Sequence, residues 1–259
     1  MELWSKNSLV AILISLTSLL SACEKRDLSN VVVATMGASL MYSGNGWVEI
    51  ACTKLGVQCI NKAVSSTKVY DYADQLWRGT YASEEELKTI DILLIQFANC
   101  DDVCGDEETF FTTAQEYTNN FDTTAVHNQF RRYSTAQCMD YLLKEWQQIC
   151  IRNNKEMHVL FVTHWHDSRI TYNNAVRRLA DRWNAEVVEL DKKIGFTKEE
   201  LDQDGNQPSI RYAVDTEQID GITYGWHPLR GERGLFIQNK MGNILYKKLK
   251  KYIFEHSIE

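Results

Sequence analysis

Short, unbroken apolar runs alternate along this chain with longer stretches whose apolar residues return every three or four positions. Val31–Thr35, Val57–Ile60, Ile92–Phe97, His158–Thr163 and Glu186–Leu190 read as strands, because strands buried on both faces look like continuous apolar runs. Between them, Trp47–Leu55, Val69–Trp77, Thr135–Ile151 and Tyr172–Trp183 carry the helical period. In the third of these, Met139, Leu142, Leu143, Trp146 and Ile149 fall on one helix face. A last stripe of Phe236, Ile237, Met241, Ile244, Leu245, Leu249 and Ile253 runs through Leu235–Phe254. Lys247, Lys248, Lys250 and Lys251 lie in its final turns, where cations suit the helix dipole. This stripe predicts a surface helix docked on the sheet. Strands alternating with helices imply right-handed crossovers, and hence an α/β fold: a three-layer α/β/α sandwich around a five-stranded parallel sheet.

Composition adds boundaries to this picture. The chain has 259 residues, 44% hydrophobic and 24% charged, with only two prolines and no repeat or low-complexity tract, so one domain is expected. The first residues stand apart. Lys6 precedes an apolar stretch, Leu9 to Leu20, too short to span a bilayer, and Leu20-Ser21-Ala22-Cys23 matches a lipobox. Residues 1–22 are therefore expected to be a lipoprotein signal peptide and residues 23–259 the single domain. Cys23 would be the lipidated N-terminus, a membrane anchor in the bacterial cell envelope. The net charge of −7 argues against nucleic acid as a partner. Six cysteines remain beside Cys23, and six allow fifteen pairings; short loops favour only Cys52–Cys59 and Cys100–Cys104.

In open parallel sheets, ligands bind outside the carboxyl ends of the strands. Ser39 follows the first strand, Ser65 and Ser66 the second, and Asn99 the third, while His227 lies in the loop before the final helix. The blocks holding them are Gly37-Ala38-Ser39-Leu40, "NKAVSS" at Asn61–Ser66, "FANCD" around Asn99, and "DGITYGWHP" ending in His227-Pro228. In this order and on these elements, they resemble the four motif blocks of the SGNH (GDSL-like) hydrolases. The resemblance spans nearly the whole chain after Cys23 and implies the flavodoxin-like SGNH fold.

The resemblance also implies a serine esterase without cofactor or metal. Ser39 would be the nucleophile and His227 its base, since a serine hydroxyl attacks an ester only once an imidazole takes its proton. The oxyanion hole would comprise the backbone N–H groups of Ser39 and Ser66 and the side-chain amide of Asn99. Four positions depart from the family pattern. Ala38 stands for its aspartate, and Ser66 and Ala98 stand for glycines. The position three before His227, where the family has its acid, is Tyr224. Asp220, before Gly221, is the candidate acid, with a backbone carbonyl orienting His227 as the alternative. The family's habits point to O-acyl (acetyl) groups on glycans as substrate. The rival reading is a catalytically impaired glycan-binding module.

Two further features attract attention. "THWHD", Thr163–Asp167, places His164 and His166 two apart after a strand, but no third histidine nearby completes a metal site, which favours structural or substrate-rim roles. Trp226 adjoins His227 and could present an aromatic face to substrate, and Cys100–Arg132 reads as a lid or substrate loop.

Overall fold

A computed structural model describes residues 26–98 and 121–259. Five strands form a parallel sheet: β1 (Val32–Gly37), β2 (Gln58–Asn61), β3 (Ile92–Gln96), β4 (His158–Val162) and β5 (Glu186–Val188), in the order β2-β1-β3-β4-β5. The three central strands are buried along their whole length, whereas the edge strands β2 and β5 are partly exposed. That is why the central runs are almost continuously apolar and Gln58 and Glu186 are tolerated at the edges.

The helices are α1 (Trp47–Leu55), α2 (Val69–Trp77), α3 (Glu84–Thr89), α4 (Thr135–Arg152), α5 (Ile170–Arg182), α6 (Leu190–Ile194) and α7 (Gly231–Glu255). They cover both faces of the sheet, with α1 packed on α7 and α2 on α4. The final helix docks through Ile237, Met241, Leu245, Leu249 and Ile253, as its stripe requires. Phe236, counted in that stripe, lies outside the contact: it is 55% exposed and stacks on Tyr212.

The chain runs outward from β1 to β2 and then crosses to β3 on the other side of β1. Such a reversal opens a crevice at the carboxyl ends of the two diverging strands. Ser39 sits there, two residues after β1.

Between β5 and α7 the sequence pattern suggested only loop. The structure has an antiparallel hairpin, β6 (Thr216–Ile219) with β7 (Ile222–Gly225), registered Thr216 to Gly225 and Ile219 to Ile222. Its two-residue turn is Asp220-Gly221, both at positive φ (50° and 80°), the conformation that a tight hairpin turn demands.

The expected loop at Cys100–Arg132 divides in two. Asn99 to Asn120 lie outside the described residues. Phe121 packs inward, its ring centre 4.4 Å from that of Phe130 and 5.4 Å from that of Tyr141, residues 122–127 are mostly exposed, and Gln129–Arg132 is a short 3-10 helix. Cys52 and Cys59, favoured as a pair, are free thiols, as are Cys138 and Cys150; Cys100 and Cys104 lie outside the described residues. The Cys59 thiol, hydrogen-bonded to that of Cys52, and then burial push the Cys52 thiol up.

Candidate active site

The turn bearing Ser39 is built tightly against β3. A Cβ on Gly37 would lie 2.8 Å from Met41 Sδ and 2.9 Å from the Gln96 carbonyl, so only glycine fits at the end of β1. The next residues fold into consecutive turns, with Met41 N donating to Ala38 O (3.0 Å) and Tyr42 N to Ser39 O (3.3 Å). Asn61 holds this turn to β2: its Nδ2 donates to Met41 O and Glu49 Oε1, both at 2.8 Å, and its Oδ1 accepts from Thr35 Oγ1 at 2.7 Å. Trp47 Nε1 adds a bond to Leu40 O at 2.8 Å. The serine is thus presented by a braced turn, a small residue count from a rigid strand.

Ser39 and His227, 188 positions apart in sequence, meet at the sheet edge. Ser39 Oγ lies 2.8 Å from His227 Nε2. On the other side of the ring, Nδ1 is 2.8 Å and 3.0 Å from the two carboxylate oxygens of Asp215. A carboxylate can only accept here, so Nδ1 carries the proton and Nε2 is left to accept from the serine hydroxyl. The backbone N–H of His227 also donates to Asp215 Oδ1, at 2.8 Å.

Asp220, the acid expected from its place seven residues before His227, does not reach the ring. It occupies the hairpin tip, five residues along from Asp215, which is about 17 Å of extended strand. The hairpin separates acid from base in sequence and reunites them in space: Val214 N bonds His227 O at 2.7 Å and Trp226 N bonds Asp215 O at 2.9 Å, continuing the ladder beyond its named strands. Asp215 is the residue that spacing missed. The signal that could have found it is the Asp-Gly pair itself, flanked by Thr-Glu-Gln-Ile and Ile-Thr-Tyr-Gly, a short-range hairpin signature.

Ser66 holds φ at 64°, so this position does require the left-handed conformation for which glycine is suited, and a serine occupies it. Neither its backbone N–H nor that of Ser39 is hydrogen-bonded among the described residues, leaving both available to a ligand. Ala98, the other glycine replacement, is buried and keeps ordinary φ. Asn99 lies outside the described residues.

His164 and His166 are fully buried. His166 Nε2 donates to Gly225 O at 2.5 Å and its Nδ1 accepts from Ser168 N at 3.3 Å, so both nitrogens are engaged. Burial pushes His166 down to about 3, despite the Gly225 bond acting the other way. Burial, then His166 and His227, hold His164 well below the usual histidine range; its ring nitrogens have no partner among the described residues, at a cost of about 1–3 kcal/mol for a buried polar group. No group of three or more potential metal ligands occurs among the described residues. Trp226, read as a possible substrate face, stacks instead on His164, with ring centres 5.3 Å apart and planes 16° apart.

Residues 30–253 match the family model described as a domain of unknown function, DUF5040, and the chain belongs to that family. No curated protein matches. Among solved structures, the chain is similar to a protein from Parabacteroides merdae designated a GDSL-like lipase (13% identity, 86% of this chain and 96% of that one, TM-score 0.49). It is also similar to a protein from Slackia heliotrinireducens designated an SGNH hydrolase (10% identity, 85% and 98%, TM-score 0.49). A third similar structure is an active-site mutant of a family two carbohydrate esterase from Clostridium thermocellum (11% identity, 88% and 64%, TM-score 0.47).

Proposed function

We propose that this protein is a serine ester hydrolase of the SGNH type, with Ser39 as nucleophile, His227 as general base and acid, and Asp215 as the carboxylate that orients it. The observation that carries this reading is the continuous chain from Ser39 Oγ through His227 to Asp215, with 2.8 Å at each link. His227 Nε2 takes the hydroxyl proton as Ser39 Oγ attacks the ester carbonyl carbon, then returns it to the leaving alcohol. Water repeats the sequence on the acyl-serine. Asp215 keeps the proton on Nδ1 and stabilises the imidazolium formed at each step.

The developing oxyanion needs fixed donors, each worth about 3–4 kcal/mol. The N–H groups of Ser39 and Ser66 are proposed for this task, with the Asn99 side chain as third donor by family resemblance. Exposed Tyr42, three residues after Ser39, Val64, whose N–H donates to Gly37 O, and Val214, whose N–H donates to His227 O, suit the apolar part of a small ester. The proposed substrates are O-acyl, chiefly O-acetyl, groups on glycans, met by a protein tethered to the cell envelope through lipidated Cys23. The rival reading, a binding module without catalysis, rests on the lost glycines and the displaced acid; Asp215 is offered as the acid, and the serine at position 66 keeps its backbone N–H.

Hydrolysis of a short-chain aryl acetate by the purified protein tests the proposal. Ser39→Ala should abolish turnover and fluorophosphonate labelling with the fold intact. Equal labelling of the alanine variant would place the nucleophile elsewhere, and no labelling of either protein would support the binding module.

A further inference from the structure

The segment after β4, His164 to Arg169, takes no part in the chemistry above, yet it is turned onto the strand that leads into His227. Trp165 Nε1 donates to the Trp226 carbonyl at 3.0 Å and His166 Nε2 to that of Gly225 at 2.5 Å, while His164 stacks on the Trp226 ring. Gly225 must be glycine for a separate reason, the close packing of Ser209 and Ala213, since a Cβ there would lie 2.5 Å from Ala213 Cβ and 2.6 Å from the Ser209 carbonyl.

Arg169 ends the segment, and only 4% of it is exposed. Its Nη2 lies 2.6 Å from each carboxylate oxygen of Glu217, and its guanidinium carbon is 4.4 Å from the centre of the Trp226 ring. Glu217 is on β6, two residues beyond Asp215; Trp226 directly precedes His227. One side chain therefore grips both arms of the hairpin, the arm that carries the acid and the arm that carries the base. A two-stranded hairpin has little stability of its own and takes its position from what pins it. Arginine suits the task because its planar guanidinium can stack on an indole while its N–H groups bind a carboxylate.

We infer that Arg169, through Glu217 and Trp226, is a positioning residue that holds Asp215 and His227 in register with Ser39. The inference rests on the esterase reading for its kinetic consequence, but not for its geometric one. Loss of the grip lets the two arms shift against the sheet, and displacement of a catalytic group by about 1 Å can cost a hundredfold in rate.

The test pairs kinetics with proton NMR of the imidazole Nδ1–H of His227, which a short bond to a carboxylate moves far downfield. In Arg169→Met, kcat for an aryl acetate should fall about 10- to 100-fold with KM nearly unchanged, and the downfield signal should broaden away. Arg169→Lys, which keeps the charge, should recover part of both. Should Arg169→Met fail to fold, Glu217→Gln, altered at a partly exposed carboxylate, gives the same comparison with Arg169 still on Trp226. A variant that keeps the Nδ1–H signal and kcat of the parent would overturn the inference, as would loss of thermal stability with the signal retained. If the parent protein hydrolyses no ester, the esterase reading fails, and the NMR comparison still decides whether Arg169 positions the couple.

Discussion

Asp215 and His227 pair because their backbones continue one antiparallel ladder past the end of the β6–β7 hairpin. The carboxylate accepts from both the backbone N–H and the ring Nδ1 of His227, so the ring is aimed by the same ladder that fixes the chain. About half of the Asp215 side chain is in contact with solvent, and a third of His227.

That exposure sets the size of the first expected effect. In buried serine-protease triads, replacing the aspartate with asparagine costs about 10⁴ in kcat, largely through the wrong tautomer. Water can partly replace an exposed carboxylate, so Asp215→Asn should cost roughly 10²- to 10³-fold, a discount on the protease figure. Asp220→Asn should leave kcat within about twofold, as only a charge some 17 Å of strand away is altered. Steady-state kinetics on both variants decides this; the reverse order of effects would return the acid to Asp220.

Ser66 bears the strain of a left-handed backbone that disfavours L residues by roughly 1–2 kcal/mol, partly offset by the chain entropy that glycine would lose. Ser66→Gly should stabilise the protein by about 0.5–1 kcal/mol in urea unfolding and keep esterase activity, since the backbone N–H survives. A loss of activity would show that the serine side chain, not its backbone, serves the site.

The sheet was legible in the sequence to within a residue or two, because strands buried on both faces are apolar almost throughout; in Val32–Gly37 and Ile92–Gln96 only Thr35 and Gln96 are polar, and both are hydrogen-bonded. That Ser39 and His227 meet was legible because motif order on such a sheet dictates which loops meet. What escaped was the hairpin between β5 and α7 and, with it, Asp215. β6 and β7 have four residues each, and of Ile219, Ile222 and Tyr224, which share one face with Glu217, only Tyr224 is buried; the hairpin is held by hydrogen bonds, the Arg169 ion pair and the stacking of Tyr224 on His166. Periodicity reports burial, so it is blind to strands fastened this way. The THWHD segment was hard to read for a related reason: Trp165 and His166 donate to the carbonyls of distant Trp226 and Gly225, which no local pattern encodes.

Buried neutral histidines predict how stability changes with pH. The folded state holds His166 at about 3, whereas the unfolded chain binds that proton near 6.5. The stability this site contributes is complete above pH 6.5 and is lost as pH falls from 6.5 towards 3, at up to about 1.4 kcal/mol per pH unit. His164 shifts in the same direction. Urea unfolding from pH 7 to pH 4 should show the decline, and His166→Gln, which can still donate to Gly225 O, should flatten it. An unchanged slope in that variant would assign the acid sensitivity to other groups.

Export can be tested apart from catalysis. With the lipobox intact, the protein should partition into the membrane fraction and into detergent. Cys23→Ser should move it to the soluble fraction with esterase activity retained. Among the described residues no helix is long and apolar enough to cross a membrane, so a serine variant that stays on membranes would point to a surface contact.

A turn of two residues joins β6 to β7, and every pair of residues added or removed there, one on each strand, would leave the pairing of Asp215 with His227 untouched. The sequence interval between acid and base is therefore elastic while their spatial separation is rigid. Searches that demand a fixed count between the two will pass over chains built this way. A search that instead asks for an acidic residue opposite the histidine across an Asp-Gly or Asn-Gly hairpin would retrieve them.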